Sequence, residues 1–246
     1  MFPDSTSTAA EIPLILFQDE SILVLFKPSK WFVHPPEEPR HRRGLKRKTC
    51  IQWLMDYHKI KAYPAHRIDV GTEGVLLFGK TKEAVIHLNQ QFKKQSILKT
   101  YHTVVRGWIK EPNGSVDLPL ELDSTKELVP CQTLYKTIAT IEQDKSFNSK
   151  YKTSRYSLLL VQPKTGRWHQ IRRHMNRISH PIIGDSEHGD LRHNRFFREN
   201  LLIEGLCLKA YEITFMHPLT LQPITFTAPM TEKWKSINLL FGLKPL

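Results

Sequence analysis

Three segments of the chain carry side chains whose types and spacing could do chemistry. The first is His66-Arg67-Ile68-Asp69-Val70-Gly71-Thr72-Glu73-Gly74, which leads into the apolar run Val75-Leu76-Leu77-Phe78-Gly79. An acid beside an arginine, in a loop that opens onto a buried strand, can serve as nucleophile or base. Gly71 and Gly74 permit unusual backbone dihedrals and close approach of another group. An Asp that merely caps its own turn gives the same pattern, and taken alone the segment favours that plainer reading. The second segment is Lys164-Thr165-Gly166-Arg167-Trp168-His169-Gln170-Ile171-Arg172-Arg173-His174-Met175. On a helix, His169, Arg172 and Arg173 share a face at i, i+3 and i+4. Such a face suits phosphate contacts, or one arginine could pair with a buried carboxylate. A solvated basic surface is the default for a run of charge, but Trp168 and Ile171 argue against full exposure. His169 and His174, at i and i+5, are poorly spaced as metal ligands, so no metal is expected. The third is Lys99-Thr100-Tyr101, where Tyr101 could stack on a base; ordinary strand packing explains it equally well in isolation.

The charge balance narrows the partner. The 246 residues hold 36 Lys+Arg against 24 Asp+Glu, a net charge of +12, and 40% are hydrophobic. A disordered basic tail lacks that apolar content, whereas this length suits one large domain with a substantial core. The first 26 residues contain no Lys or Arg and four acids, so the other 220 carry +16. That start is neither a secretory signal nor a mitochondrial presequence. No apolar run reaches the roughly 20 residues of a membrane span, and no strong amphipathic basic helix marks a membrane-surface protein. Three scattered cysteines, Cys50, Cys131 and Cys207, form neither a disulfide framework nor a metal knuckle. A cytoplasmic protein with a polyanionic partner is expected.

Strands must position these segments. Ile12–Phe17 and Ile22–Lys27 read as a hairpin around Gln18-Asp19-Glu20-Ser21. Gly74–Gly79, Thr100–Val105, Thr133–Ile141 and Tyr156–Val161 read as further strands, with a last pair at Leu206–Met216 and Pro223–Thr227. Helices are expected over Thr49–His58, from the Thr81 cap to about Lys94, from Trp168 to about Arg177, and over Thr231–Phe241. Residues 1–11 read as a flexible tail, and Arg40–Lys48, with six Lys/Arg, as a basic loop. With no regular βαβ alternation, the pattern is α+β with a mixed, mainly antiparallel sheet. No linker divides the chain, so 12–246 is read as one domain.

Taken together, the segments resemble the RluA family of pseudouridine synthases. The matching pieces are Lys27-Pro28, His66-Arg67-Ile68-Asp69 with Thr72 and Gly74, Lys99-Thr100-Tyr101, Gly166 to Arg172, and His180-Pro181-Ile182-Ile183-Gly184-Asp185. They lie in the family's order and spacing from about Ile12 to Met230. The chain departs from the family at Ile68, where Leu is usual, at Glu73, often Ser, and at Val70, commonly basic. The run from Ser186 to Arg198 resembles the tRNA-modifying members more than the ribosomal-RNA ones. The resemblance implies that family's fold, with short helices flanking the sheet and a central active-site cleft. It leaves no room before Ile12 for the N-terminal S4 RNA-binding domain that members often carry.

The implied reaction turns a uridine of tRNA, near the junction of the T and acceptor stems at position 65, into pseudouridine without cofactor or metal. The family's aspartate corresponds to Asp69, its stacking or hydrogen-bonding tyrosine to Tyr101, and the arginine paired with the aspartate to Arg172. The target must flip out of its stack, and Arg67 corresponds to the arginine that fills the vacated space. Candidate RNA contacts are His66, Arg67, Thr72, Arg167, His169, Gln170 and Arg173, with Arg177, the 40–48 loop and Arg192–Arg198 as further basic surfaces. A monomer with RNA as partner is expected. The competing readings are a family member acting on ribosomal RNA and a non-catalytic RNA-binding or remodelling protein; the intact Asp69, Tyr101 and Arg172 argue against the second. A metal-dependent nuclease would need clustered carboxylates, which the sequence does not display.

Overall fold

The computed structural model describes residues 12–35, 49–122, 124–147 and 151–243. The expected tail 1–11 and basic loop 40–48 lie outside them. The chain begins with a hairpin, β1 (Leu14–Gln18) and β2 (Ile22–Lys27), then α1 (Cys50–His58), β3 (Tyr63–Pro64), β4 (Glu73–Gly79) and α2 (Lys82–Lys93). There follow β5 (Leu98–Arg106), β6 (Asn113–Asp117), the short pair β7 (Leu120–Glu121) and β8 (Leu128–Val129), β9 (Gln132–Gln143) and β10 (Ser154–Pro163). The last part holds α3 (Gln170–Arg177), α4 (Leu191–Asn200), β11 (Leu208–Met216), β12 (Pro223–Thr227) and α5 (Glu232–Leu240).

Ten strands form one sheet in the order β1-β2-β4-β11-β5-β10-β9-β6, with β3 added to β4 and β12 to β11. Every pairing within it is antiparallel except that of β4 with β11. That parallel junction has only two register pairs, Lys209 with Glu73 and Ala210 with Gly74. Gly74 sits at φ +135°, where a Cβ would fall on the Ala210 carbonyl, so the junction demands glycine. Gly71, by contrast, is not in the left-handed region.

The pleat distributes the core. In β2 and β4, Leu23, Leu25, Leu76 and Phe78 face Trp53 and Leu54 of α1. The alternate residues Ile22, Val24, Phe26, Val75 and Leu77 face Leu88 of α2. Strands buried on both faces read as continuous apolar runs, and β2 and β4 are of that kind. Across the junction, Ile171 and Met175 of α3 pack on Val105, Leu159 and Val161. Phe196 and Phe197 of α4, with Trp234 and Ile237 of α5, cover Val104, Tyr156 and Leu158. Thr49 and Thr81 cap α1 and α2, accepting from the Gln52 and Ala84 amides at 3.1 Å each.

Two segments differ from the sequence expectation. The third helix begins at Gln170, not Trp168, because His169 takes a left-handed conformation at φ 49°; His169 therefore does not share a helix face with Arg172 and Arg173. The run after Asp190 is a helix, α4, capped by the Asp190 carboxylate on the Arg192 amide at 3.0 Å. Arg192, Arg195 and Arg198 lie on its exposed side. Strands β3, β6, β7 and β8 were not anticipated.

Candidate active site

A cleft of about 410 Å³ opens across the parallel junction, and the residues leading into β4 form one wall of it. Their loop is held by backbone groups. The Asp69 carbonyl accepts the Thr72 amide at 3.0 Å, and the Val70 carbonyl accepts the Lys30 amide at 2.8 Å. Ser29 Oγ donates to the Gly71 carbonyl at 3.0 Å. The buried Lys27 ammonium donates to the carbonyls of Pro28, Trp31 and Val70 at 3.0, 2.9 and 3.3 Å, one bond for each proton. Burial depresses its pKa to about 8. The turn is thus tied down by carbonyls, and the Asp69 carboxylate points to other partners.

Those partners come from the opposite wall. Asp69 Oδ2 lies 3.5 Å from Arg172 Nη1 and 3.8 Å from His169 Nε2. The expected pairing of Arg172 with Asp69 is present only as this looser contact, because the guanidinium fork is committed elsewhere. Nε and Nη2 of Arg172 donate to Oδ2 and Oδ1 of Asp185, both at 2.7 Å, the bidentate geometry of a strong charge-assisted pair. Asp185 Oδ1 also accepts the Glu187 and His188 amides at 3.0 Å each. Asn194 of α4 clamps the same turn, accepting the Gly184 amide and donating to the Asp185 carbonyl, both at 2.7 Å.

The electrostatics follow from this division. Burial works against the Asp185 charge, yet the Arg172 fork and the two amides outweigh it and lower its pKa. Burial likewise opposes the Arg172 charge, and Asp185 outweighs it. For Asp69 the balance reverses. Burial raises its pKa, and Arg172, Arg67 and Lys27 offset only part of the rise. Asp69 is a carboxylate held near cations that belong mainly to other groups.

His169 is neutral, its pKa pushed down to about 3 by burial and then by Arg172. Arg172 Nη1 donates to its Nε2 at 2.5 Å, which assigns the ring hydrogen to Nδ1, 3.1 Å from His188 Nε2. His169, Glu187 and His188 lie close enough to hold a cation, but a metal on Nδ1 would displace that proton and compete with Arg172 for the Glu187 carboxylate. The two histidines are hydrogen-bonded to each other, while Glu187 accepts from Arg172 Nη2 at 3.3 Å. Trp168 stacks on the His169 ring at 3.7 Å with 41% of its surface exposed, so it is less sheltered than expected.

Tyr101 enters the cleft from β5, paired with Ala210 on one side and Val161 on the other. Burial, then the Asp69 charge, raises the pKa of its phenol, which stays protonated and able to donate. Arg67 and Arg167 line the cleft with exposed side chains. Thr72 lines it too, but its buried Oγ1 has no hydrogen-bond partner among the described residues. His66 and Gln170 line the cleft while doing structural duty. His66 Nε2 accepts the Leu77 amide at 3.1 Å. Gln170 accepts from Thr165 Oγ1 and the Arg167 amide, and donates to the Gln132 carbonyl and Thr133 Oγ1. Arg173 is not brought to the cleft; it donates to the Glu121 carbonyl at 3.0 Å. Sequence reasoning assigned no role to Asp185, Glu187 or His188, although the Gly184-Asp185 turn before two further polar residues was a usable signal.

The description of the RNA pseudouridylate synthase family matches residues 21–177. The chain is 39% identical over 238 residues to tRNA pseudouridine synthase C of Vibrio cholerae, covering 93% of this chain and 95% of that protein. It is 38% identical over 242 residues to the protein of the same name from Salmonella typhi, covering 94% and 91%. Among solved structures it resembles human RNA pseudouridylate synthase domain containing 4, with TM-score 0.67, 17% identity and 94% of each chain covered. It also resembles domain containing 1, with TM-score 0.66, 20% identity and coverage of 95% and 89%. At these identities the two structures speak to the fold alone.

Proposed function

The chain belongs to the RNA pseudouridylate synthase family, and from that premise we propose that it converts a uridine of tRNA to pseudouridine, with Asp69 as the reacting carboxylate. The observation that carries the reading is the convergence of Asp69, Tyr101 and Arg172 in one cleft, Asp69 3.5 Å from a guanidinium fixed by a separate acid. The names of the relatives support tRNA as the substrate. The finer assignment is uridine 65, at the T-stem and acceptor-stem junction.

The reaction is an isomerisation. The bond from ribose C1′ to uracil N1 breaks, the base turns, a bond from C1′ to C5 forms, and the C5 proton leaves while N1 gains one. No electrons pass to an acceptor and no external group is taken up. The carboxylate either attacks the sugar or removes a proton from it, and both routes need it ionised. Neighbouring Arg172 and Arg67 favour that ionised form against the opposing effect of burial. Tyr101 holds the flipped base by stacking or by its phenol hydrogen. Arg67, planar and permanently charged, takes the place of the base at the rim of the cleft. One chain supplies all these groups, which supports a monomer. The three cysteines are free and buried, in keeping with a reducing compartment such as the cytoplasm.

The test is tritium release from tRNA labelled at uridine C5. Wild-type protein releases the label, and Asp69→Asn releases none while still binding tRNA. Full release by Asp69→Asn overturns the assignment. Pseudouridine mapped to ribosomal RNA alone overturns the tRNA reading.

A further inference from the structure

Beside the cleft lies a second cavity of about 340 Å³. The two share the wall formed by Phe92, Lys99, Thr165, Gly166 and Arg167, so they adjoin along Lys99 and the Thr165–Arg167 turn. The side cavity is lined by four cations, Lys93, Lys99, Lys164 and Arg167, and by no carboxylate. Lys93, Lys164 and Arg167 are exposed around its mouth, while Lys99 is more sheltered, at the boundary of the two spaces.

Lys99 is the informative residue. Its Nζ donates to the Thr165 carbonyl at 3.0 Å, one bond from a group with three protons. Burial alone depresses its pKa, to about 8. The contrast with Lys27 is direct, since that buried ammonium satisfies all three protons with carbonyls. Gly166 adds a second sign. A Cβ there would meet nothing nearer than Lys99 Nζ at 3.7 Å, so packing within the chain does not demand a glycine. A bare backbone beside a sheltered cation leaves room for a ligand to approach closely.

We propose that this side cavity is a subsite for the phosphodiester group next to the flipped uridine, with Lys99 as its inner cation and Lys93, Lys164 and Arg167 around its mouth. The proposal rests on the pseudouridine synthase reading above and deepens it. A uridine drawn into the cleft drags its own backbone after it, and Lys99 and Arg167, which line both spaces, lie where the adjoining phosphate would pass. A phosphate there completes the hydrogen bonding of Lys99 and fixes the ribose against Asp69. Phosphate contacts of this kind position a nucleic acid without reading its sequence.

The experiment uses an RNA hairpin carrying the mapped target uridine, made with one neutral methylphosphonate at a time at each phosphate near that uridine. With wild-type protein, neutralising the phosphate adjacent to the uridine weakens binding about tenfold. With Lys99→Gln the same replacement costs less than about twofold, because the partner charge has gone. The double variant Lys93→Gln/Lys164→Gln changes only exposed residues, so it keeps the test alive should Lys99→Gln not fold; it shows the same loss of sensitivity and a salt dependence shallower by about one unit per lost contact. Methylphosphonate sensitivity equal in wild type and variants, with normal pseudouridine formation, overturns the subsite alone. Absence of pseudouridine formation by wild-type protein on total tRNA overturns the functional reading instead.

Discussion

Arg172 serves two acids unequally, and that inequality sets the chemistry of Asp69. The fork holds Asp185 at 2.7 Å twice over, and the remaining nitrogen is 3.5 Å from Asp69. Asp69 therefore keeps a raised pKa caused first by burial. The acid limb of the pH–rate profile is expected above the ordinary carboxylate range, and an acid limb at or below 3.8 would contradict it. The linked stability has a definite sign. An acid whose pKa is raised on folding binds its proton more tightly in the folded chain, so its contribution is present at low pH and is lost as pH rises from 3.8 through the folded value. Asp69→Asn is thus expected to raise Tm at pH 7.5 and to leave it nearly unchanged near pH 3.5, each kcal/mol being worth about 2–4 °C at this size. Arg172→Met does the reverse. It strands Asp185, whose side chain is fully buried, and removal of one partner of such a pair typically costs about 3–5 kcal/mol. Thermal melts are expected to show that loss together with absent turnover. Arg172→Lys should not rescue either, because an ammonium cannot make the two-pronged contact.

At the scale of elements, the site is assembled by caps and turns more than by the strands themselves. Helix α4 is the clearest case. Asn194 accepts from Gly184 and donates to Asp185, so the helix fixes the turn that fixes Arg172. Asn194→Ala is expected to lower stability by about 1–3 kcal/mol, the cost of a broken buried hydrogen-bond pair, and to reduce turnover although the residue does not line the cleft. Unchanged kcat with lowered Tm would separate the two roles. Sequence showed some of this and hid the rest for physical reasons. β2 and β12 have the ends expected for them, because an unbroken apolar run and a proline-started pair are local signals. The Thr81 cap was legible for the same reason, whereas Thr49, read as the first residue of its helix, is the cap of α1. Helix α4 was not, since Leu191–Asn200 is dominated by charged and polar residues and shows its buried face only through His193, Phe196 and Phe197. The left-handed His169 was hidden because histidine, although enriched among the non-glycine residues at such positions, adopts them rarely, so its type is a weak signal. Asp69 and Arg172 were found through family resemblance; the preference of Arg172 for Asp185 depends on a turn whose path no local pattern specifies.

For the molecule as a whole, the charge now has places. Four cations surround the side cavity, Arg67 stands at the cleft, and Arg192, Arg195 and Arg198 line the outer side of α4. Arg173 and Arg177 are instead engaged with backbone carbonyls. RNA affinity is expected to fall steeply with salt, by on the order of 10³-fold between 50 and 200 mM if six phosphates are neutralised; a flat response in a filter-binding titration would exclude an electrostatic interface. The sheet that carries these charges is continuous, yet its two halves meet through only two parallel register pairs, Glu73 with Lys209 and Gly74 with Ala210. Asp69 belongs to one half, and Tyr101 and Arg172 to the other. Helix α5 ties the seam down: Lys233 Nζ lies 2.8 Å from Glu73 Oε1, and the Trp234 indole N–H donates to the same oxygen at 2.5 Å. Mechanically this is a book with its spine under the reacting atoms. Because this seam lies between the half that carries Asp69 and the half that carries Tyr101 and Arg172, RNA that spans the cleft bridges both halves, and amide exchange along β4 and β11 is expected to slow when RNA is bound; unchanged exchange would show that the seam does not respond to the substrate.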